Sequence, residues 1–244
     1  MPEQRRVLVV NADDFGLSRG VNRGITFAHE WGIVTSASLM VRQAGAEDAA
    51  AYARSNPRLG VGLHIDLGEW SYRGGEWVCV YEVVGLDDAG AVTDEVSRQL
   101  DAFHRLVGRP PTHLDSHQHV HRSEPLRGIV AAAGERLGAP VRHVTPGIRS
   151  CGDFYGLGWR NSRMPEAITA DALLRVLRSL QPGVTELMCH PGYDPDLRSD
   201  YRDERLAEVT ALCDPAVRRA VEEQEIEVRT FADVAESMRG GREA

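Results

Sequence analysis

The sequence predicts an α/β protein with one parallel sheet covered by helices. Apolar runs of strand length alternate about seven times with amphipathic helical segments. Long strand-only runs, which would mark an all-β or a segregated α+β chain, do not interrupt that rhythm. The Asp and His residues suited to metal or acid–base chemistry gather at the C-terminal ends of the predicted strands, which converge on one face in parallel α/β folds. A barrel of roughly seven or eight units and an open sheet both satisfy the alternation.

Arg6 to Asp13 reads as a buried strand ending in two carboxylates, Asp13 and Asp14, before Gly16. Ser18 has the chemistry of an N-cap, and Val21, Ile25 and Ala28 mark a helix that ends near Gly32. Val34 to Val41 is a second strand, and the Ala-rich segment after it a helix stopped at Asn56-Pro57. Leu59 to Leu67 is a third strand, carrying His64 and Asp66 near its end. Residues 68–92 break the rhythm with Gly, Trp and Tyr, as a hairpin or lid would. A helix over Val92 to Val107 and Pro110-Pro111 lead to a strand at Thr112 to Ser116.

A helix is expected over Ser123 to Leu137, a short strand over Val141 to Val144, and irregular chain to about Ala167. A helix from Thr169 to Leu180 precedes a strand from Val184 to Cys189, which ends in His190-Pro191-Gly192. Helices over Tyr201 to Cys213 and Pro215 to Gln224, a strand over Ile226 to Thr230 and a helix over Phe231 to Met238 complete the order. No repeat or linker divides the chain, so residues 1–244 are expected to form one domain with an insertion near 68–92.

Composition narrows the chemistry. A net charge of −8 argues against nucleic acid or an anionic membrane as the main partner, because phosphate binding needs a basic surface. All 28 basic residues are Arg and none is Lys, which excludes Schiff-base aldolases, pyridoxal-phosphate enzymes and P-loop NTPases. Cys79, Cys151, Cys189 and Cys213 are scattered, so buried free thiols are expected rather than a disulfide framework or zinc knuckle. No apolar run is long enough for a membrane span, and the N-terminal apolar run is too short for a signal-peptide core, so a cytoplasmic protein is expected.

His113 to His121, HLDSHQHVH, holds four of the nine histidines. If it were extended throughout, Asp115, His117, His119 and His121 would share one face. Such a density of imidazole beside carboxylate points to a metal site, against the plainer alternative of a His-rich surface tract. Matching residues at other strand ends, namely Asp13, Asp14, His64, Asp66 and His190, favour the metal site. By spacing alone, His119 or His121 would serve as a ligand as well as His117.

The segments NADDFGLSRGVNRGI, VTSASLM, GLHIDL, THLDSHQHVH and MCHPG occur in the order found in the YdjC-like family of carbohydrate deacetylases, which includes chitooligosaccharide (diacetylchitobiose) deacetylases, and the chain resembles that family from about Val7 to Asp194. The resemblance implies a distorted (β/α) barrel of about seven parallel strands, like that of polysaccharide deacetylases. It also implies one divalent metal ion, magnesium or zinc, with manganese or cobalt also compatible with the donors. Two imidazoles tilt the choice toward zinc. Asp14, His64 and His117 match the family's metal ligands, Asp13 its catalytic base and His190 its general acid. Asp66, Asp115, His119 and His121 are then left to orient ligands or bind substrate.

The reaction so implied is hydrolysis of an N-acetyl group from an amino sugar or oligosaccharide, releasing acetate, with no organic cofactor. An acetylated glycolipid is an alternative substrate, and a non-catalytic carbohydrate-binding protein an alternative function. The resemblance also implies a homodimer, for which no sequence feature speaks. Tyr72, Trp77, Tyr155 and Trp159 offer faces on which a sugar would stack. Two rival motifs are weaker. Gly16-x-Ser18-x-Gly20 fits the serine-hydrolase pattern, but the carboxylates occupy the strand exit where that serine should stand. His64-x-Asp66 fits the iron-oxygenase triad, whose all-β scaffold the helix–strand alternation contradicts.

Overall fold

A computed structural model describes residues 5–193, 197 and 199–240. The expected domain limits, residues 1 and 244, and the end of the family resemblance at Asp194 lie outside the described residues. The sheet is built around β1 (Arg6–Phe15), whose last eight residues are all buried. Such a strand, covered on both faces, needs the near-continuous apolar run that Val7 to Val10 supplies. β2 (Ser36–Leu39), β3 (Gly60–Ile65) and β6 (Leu114–Ser116) extend the sheet on one side, and β8 (Gly183–Cys189) and β7 (Ile148–Cys151) on the other. The order is β6-β3-β2-β1-β8-β7, all parallel, with β9 (Glu227–Val228) pairing the start of β1. This curled sheet of seven strands, a half-barrel, is the distorted barrel expected from the sequence.

The helices are α1 (Arg19–Trp31), α2 (Ala46–Ser55), α3 (Ala89–Val107), α4 (Leu126–Leu137), α5 (Ala170–Ser179), α6 (Asp203–Leu212), α7 (Pro215–Glu223) and α8 (Phe231–Gly240). Their starts have chemical causes. Ser18, Asp88, Thr169 and Asp214 each accept a backbone N–H with the side chain at the N-cap, and Pro215 opens α7. With Asp88 as its cap, α3 begins at Ala89, three residues before Val92, the expected first residue. α1 lies close enough to the turn after β8 that a Cβ on Gly24 would stand 2.3 Å from Gly192 Cα. A glycine at position 24 permits that approach, since any side chain there would meet the Gly192 backbone.

The 68–92 insertion contains a two-stranded antiparallel hairpin, β4 (Gly68–Arg73) and β5 (Glu76–Glu82), apart from the main sheet. Gly74 and Gly75 both have positive φ, 61° and 94°, as a two-residue hairpin turn requires.

Three expectations need correction. The segment 113–121 is not extended throughout: the strand stops at Ser116, and His117–Arg122 is a 3-10 turn in which Gln118 and His119 have φ of 51° and 53°. Val141 to Val144 is not a strand. Val141 makes a single bridge to Leu114, after which Val144 and Thr145 both donate to Val141 O and curl the chain. β7 arises instead in the stretch expected to be irregular, paired to β8 after the Gly147 turn (φ 85°). Of the four thiols only Cys189 is fully buried, and Cys79 is exposed on the hairpin. No helix among the described residues is long and apolar enough to cross a membrane.

Candidate metal centre

Adjacent residues of a strand normally face opposite ways, yet Asp13 and Asp14 both line the same cavity. The register between β1 and β2 explains this. Ala12 pairs with Ala37 but Phe15 with Leu39, so β1 carries one extra residue there. That bulge places Asp14 at φ 65°, a region Asp tolerates better than most residues, and re-aims its side chain.

Asp14 Oδ1 lies 3.4 Å from His64 Nε2 and 3.3 Å from His117 Nδ1. Oδ1 is buried without a hydrogen-bond partner among the described residues, so three ligand atoms converge on one point with an anionic oxygen unsatisfied. His64 comes from β3 and His117 from the first position after β6. His64 Nδ1 contacts Asp115 Oδ1 at 2.7 Å, which turns Nε2 toward Asp14. Burial alone would raise the Asp14 carboxyl, but Arg205, His117 and His64 hold it well below the usual carboxylate range. Burial would lower the His64 imidazole, but Asp115, Asp14 and Asp13 hold it well above 6.5.

Asp13, His64 and Asp115 also lie close enough to hold a cation. Arg142 already fills that role. Its Nη1 and Nη2 each stand 2.6 Å from an Asp13 oxygen, Nη2 stands 2.8 Å from Asp115 Oδ2, and Nε donates to Glu186 Oε1 at 2.7 Å. The guanidinium is fully buried, so its charge is matched by carboxylates rather than by water. Burial would raise Asp13 and Asp115, yet Arg142 keeps both below the ordinary carboxylate range. Glu186, also buried against it, is pushed up to about 7. Cation ligation is therefore best supported at Asp14, His64 and His117.

His190 follows β8, with Nε2 3.7 Å from Asp13 Oδ2 and Nδ1 buried without a partner among the described residues. Burial brings its pKa down to about 4 against the pull of Asp13 and Asp14, so the imidazole is neutral at neutral pH. Glu208 on α6 accepts the His190 backbone N–H and the Tyr201 hydroxyl. The Tyr201 and Tyr155 rings stack at 4.5 Å, and both lie beside the imidazole, at 5.3 and 5.2 Å.

The other candidates spread around this centre. Asp66 stands apart from the ligand atoms; its carboxylate accepts from Gln43 and Tyr81, which ties β5 to the sheet. Gln118 holds the other strand of the hairpin through the backbone N–H and C=O of Trp70. His119 lines the cavity, with its imidazole lowered to about 3 by burial. His121 is buried between Ser116 Oγ and Arg142 O. The cavity has a volume of about 650 Å³. Trp77 and Tyr155 line it, whereas Tyr72 and Trp159 pack on Arg160 instead.

Sequence reasoning passed over Arg142, Arg205, Glu186 and Glu208. Charged residues on the buried side of α6, Arg205 and Glu208 among Val209 and Leu212, are the signal that was available. Glu186, inside the apolar strand that ends at Cys189, carries the same kind of mark.

The curled parallel α/β sheet carries its candidate two-His, one-Asp centre at the strand ends. The chain belongs to the family described as YdjC-like protein, which matches residues 7–223. Relatives include a chitooligosaccharide deacetylase of Serratia marcescens, 32% identical with 94% of this chain and 99% of the relative covered. A carbohydrate deacetylase of Geobacillus stearothermophilus is 34% identical, with 93% and 98% covered. Among solved structures, a protein of Enterococcus faecalis V583, provisionally assigned to cellobiose-phosphate cleavage, aligns with a TM-score of 0.76 at 26% identity over 94% of this chain and 99% of that one. A peptidoglycan N-acetylglucosamine deacetylase aligns with a TM-score of 0.58 at 14% identity, covering 94% and 87%, and so shares the fold.

Proposed function

We propose that this protein is a metal-dependent carbohydrate deacetylase that hydrolyses the N-acetyl group of an amino sugar or oligosaccharide. The observation that carries the proposal is the unsatisfied Asp14 Oδ1 facing His64 Nε2 and His117 Nδ1, with a second carboxylate, Asp13, in the same cavity. The names of the relatives supply the reaction class.

Asp14, His64 and His117 would hold a divalent ion with positions left for other ligands. When bound, such an ion supplies Lewis acidity, polarising the amide carbonyl and easing ionisation of water. Asp13 is the base in this reading. Arg142 grips both its oxygens, which keeps it ionised and fixes its direction at the cost of basicity. Water gives a proton to Asp13 and its hydroxyl to the carbonyl carbon; the C–N bond then breaks, and the amine leaves with a proton. His190 is neutral at rest, so as the acid it must gain that proton during turnover, and Asp13 is the neighbour within reach. Trp77 and Tyr155 offer flat faces to a sugar ring.

Acetate release from N-acetylated amino-sugar oligosaccharides, measured with and without chelator, tests the proposal. Release that chelation stops and added divalent metal restores is expected. No acetate from metal-loaded protein across acetylated mono-, di- and trisaccharides would overturn it.

A further inference from the structure

Arg205 comes to the site from α6, 191 residues after the carboxylate it binds. Its side chain is 3% exposed, and its guanidinium is held in place on several sides. Nε donates to Tyr201 O at 2.8 Å, Nη1 reaches His190 O at 3.4 Å, and Nη2 donates to Asp14 Oδ2 at 2.6 Å. Gly192 packs on the stem; a Cβ there would come 3.0 Å from Arg205 Cδ.

The two oxygens of Asp14 therefore have different partners. Oδ2 accepts a short, charge-assisted hydrogen bond from Arg205, while Oδ1 faces His64 and His117. A carboxylate in isolation can offer a hard cation one oxygen or two. A second oxygen on the ion would have to share Oδ2 with the guanidinium, which the backbone oxygens of Tyr201 and His190 hold in place. The guanidinium also offsets the one formal charge of the ligand set, since the other two donors are imidazoles. A divalent ion at Oδ1 would sit near a fixed positive charge in a poorly screened place.

We infer that Arg205 is a positioning residue that restricts Asp14 to one-oxygen ligation and weakens the hold on the cation, keeping it electron-poor. This rests on the reading of Asp14, His64 and His117 as metal ligands. A merely structural arginine would do the reverse, because its loss would loosen Asp14 and weaken metal binding.

Manganese(II) titration of the full chain at fixed pH, followed by electron paramagnetic resonance, separates the two. Arg205→Gln is expected to bind Mn2+ about tenfold tighter than the parent, from loss of the nearby charge. Metal-saturated Arg205→Gln should release acetate more slowly, and Arg205→Lys, which keeps the charge, should bind Mn2+ close to the parent value. A folded Arg205→Gln that binds Mn2+ no tighter than the parent would overturn the inference. A crystal structure of the Mn2+-loaded parent chain provides a test that no folding defect can obscure. Arg205 retained on Oδ2 with Mn2+ on Oδ1 supports it, and both oxygens on the metal overturns it. Failure of the parent chain to bind Mn2+ would remove the metal reading itself, whereas binding without acetate release would remove only the deacetylase assignment.

Discussion

His64 and Asp115 are partners in the parallel register of β3 and β6, and His64 Nδ1 contacts Asp115 Oδ1 at 2.7 Å. The sheet itself thus sets the direction of a candidate metal ligand. With Nδ1 committed to the carboxylate, Nε2 is the nitrogen left to face Asp14. Asp115 Oδ2 is fixed in turn by Ser38 and Arg142.

Asp115→Asn keeps the shape of that partner and removes its charge. Divalent-metal affinity is expected to fall about 10–100-fold, as for other groups that orient a ligand. Arg142 would keep Asp13 and Glu186, so the stability loss should be about 1–3 kcal/mol. Mn2+ titration and thermal unfolding measure the two effects separately.

Metal binding should depend steeply on pH. Burial works against the His64 imidazolium, but Asp115, Asp14 and Asp13 outweigh it and raise the pKa well above 6.5. A cation must displace that proton, so affinity should rise about tenfold per pH unit below the raised pKa. For the metal-free protein the sign is opposite. The stabilisation from protonated His64 is fully present below the unfolded value and is lost as pH rises through the folded one. Titrations and chelator-treated melts across this range would show both trends; a flat affinity profile would contradict the first.

Asp13→Asn separates base from ligand. Both Asp13 oxygens are held by Arg142, so Mn2+ affinity should stay near the parent value. Acetate release in the metal-saturated protein should fall by about 10²–10⁴. Asp14→Asn is expected to lose metal binding first, which the same titration detects.

Ser18→Ala should spare acetate release altogether. Its Oγ accepts from Val21 N at 3.1 Å as the cap of α1, and loss of such a cap costs about 1 kcal/mol. Abolished hydrolysis in a folded Ser18→Ala protein would instead point to a serine nucleophile.

Long local patterns were legible. The apolar runs of β1, β3 and β8 and the amphipathic spacing of α1, α3 and α5 identify themselves, because burial on both faces or on one stripe dictates composition over many residues. The four-residue β7 was not legible, because so short a strand exists only through its pairing with β8. The left turn at Gln118 and His119 is uncommon for residues other than glycine, and His enters it more readily than Gln. Gln118 is anchored there by the backbone of Trp70, 48 residues away.

The sequence by itself determined which chemistry was available. Lysine-free composition, carboxylates at the exit of β1 and imidazoles at later strand ends point to Asp and His chemistry. Only the tertiary structure decided how these atoms are shared. Asp13 and Asp14 are neighbours in the chain, yet one is bound by Arg142, 129 residues on, and the other by Arg205, 191 residues on. Such pairings follow from how strands and helices stack, and local periodicity carries no record of them. The bulge in β1 then turns two adjacent carboxylates into one cavity, with Asp13 gripped by an arginine and Asp14 left with an oxygen facing two imidazoles.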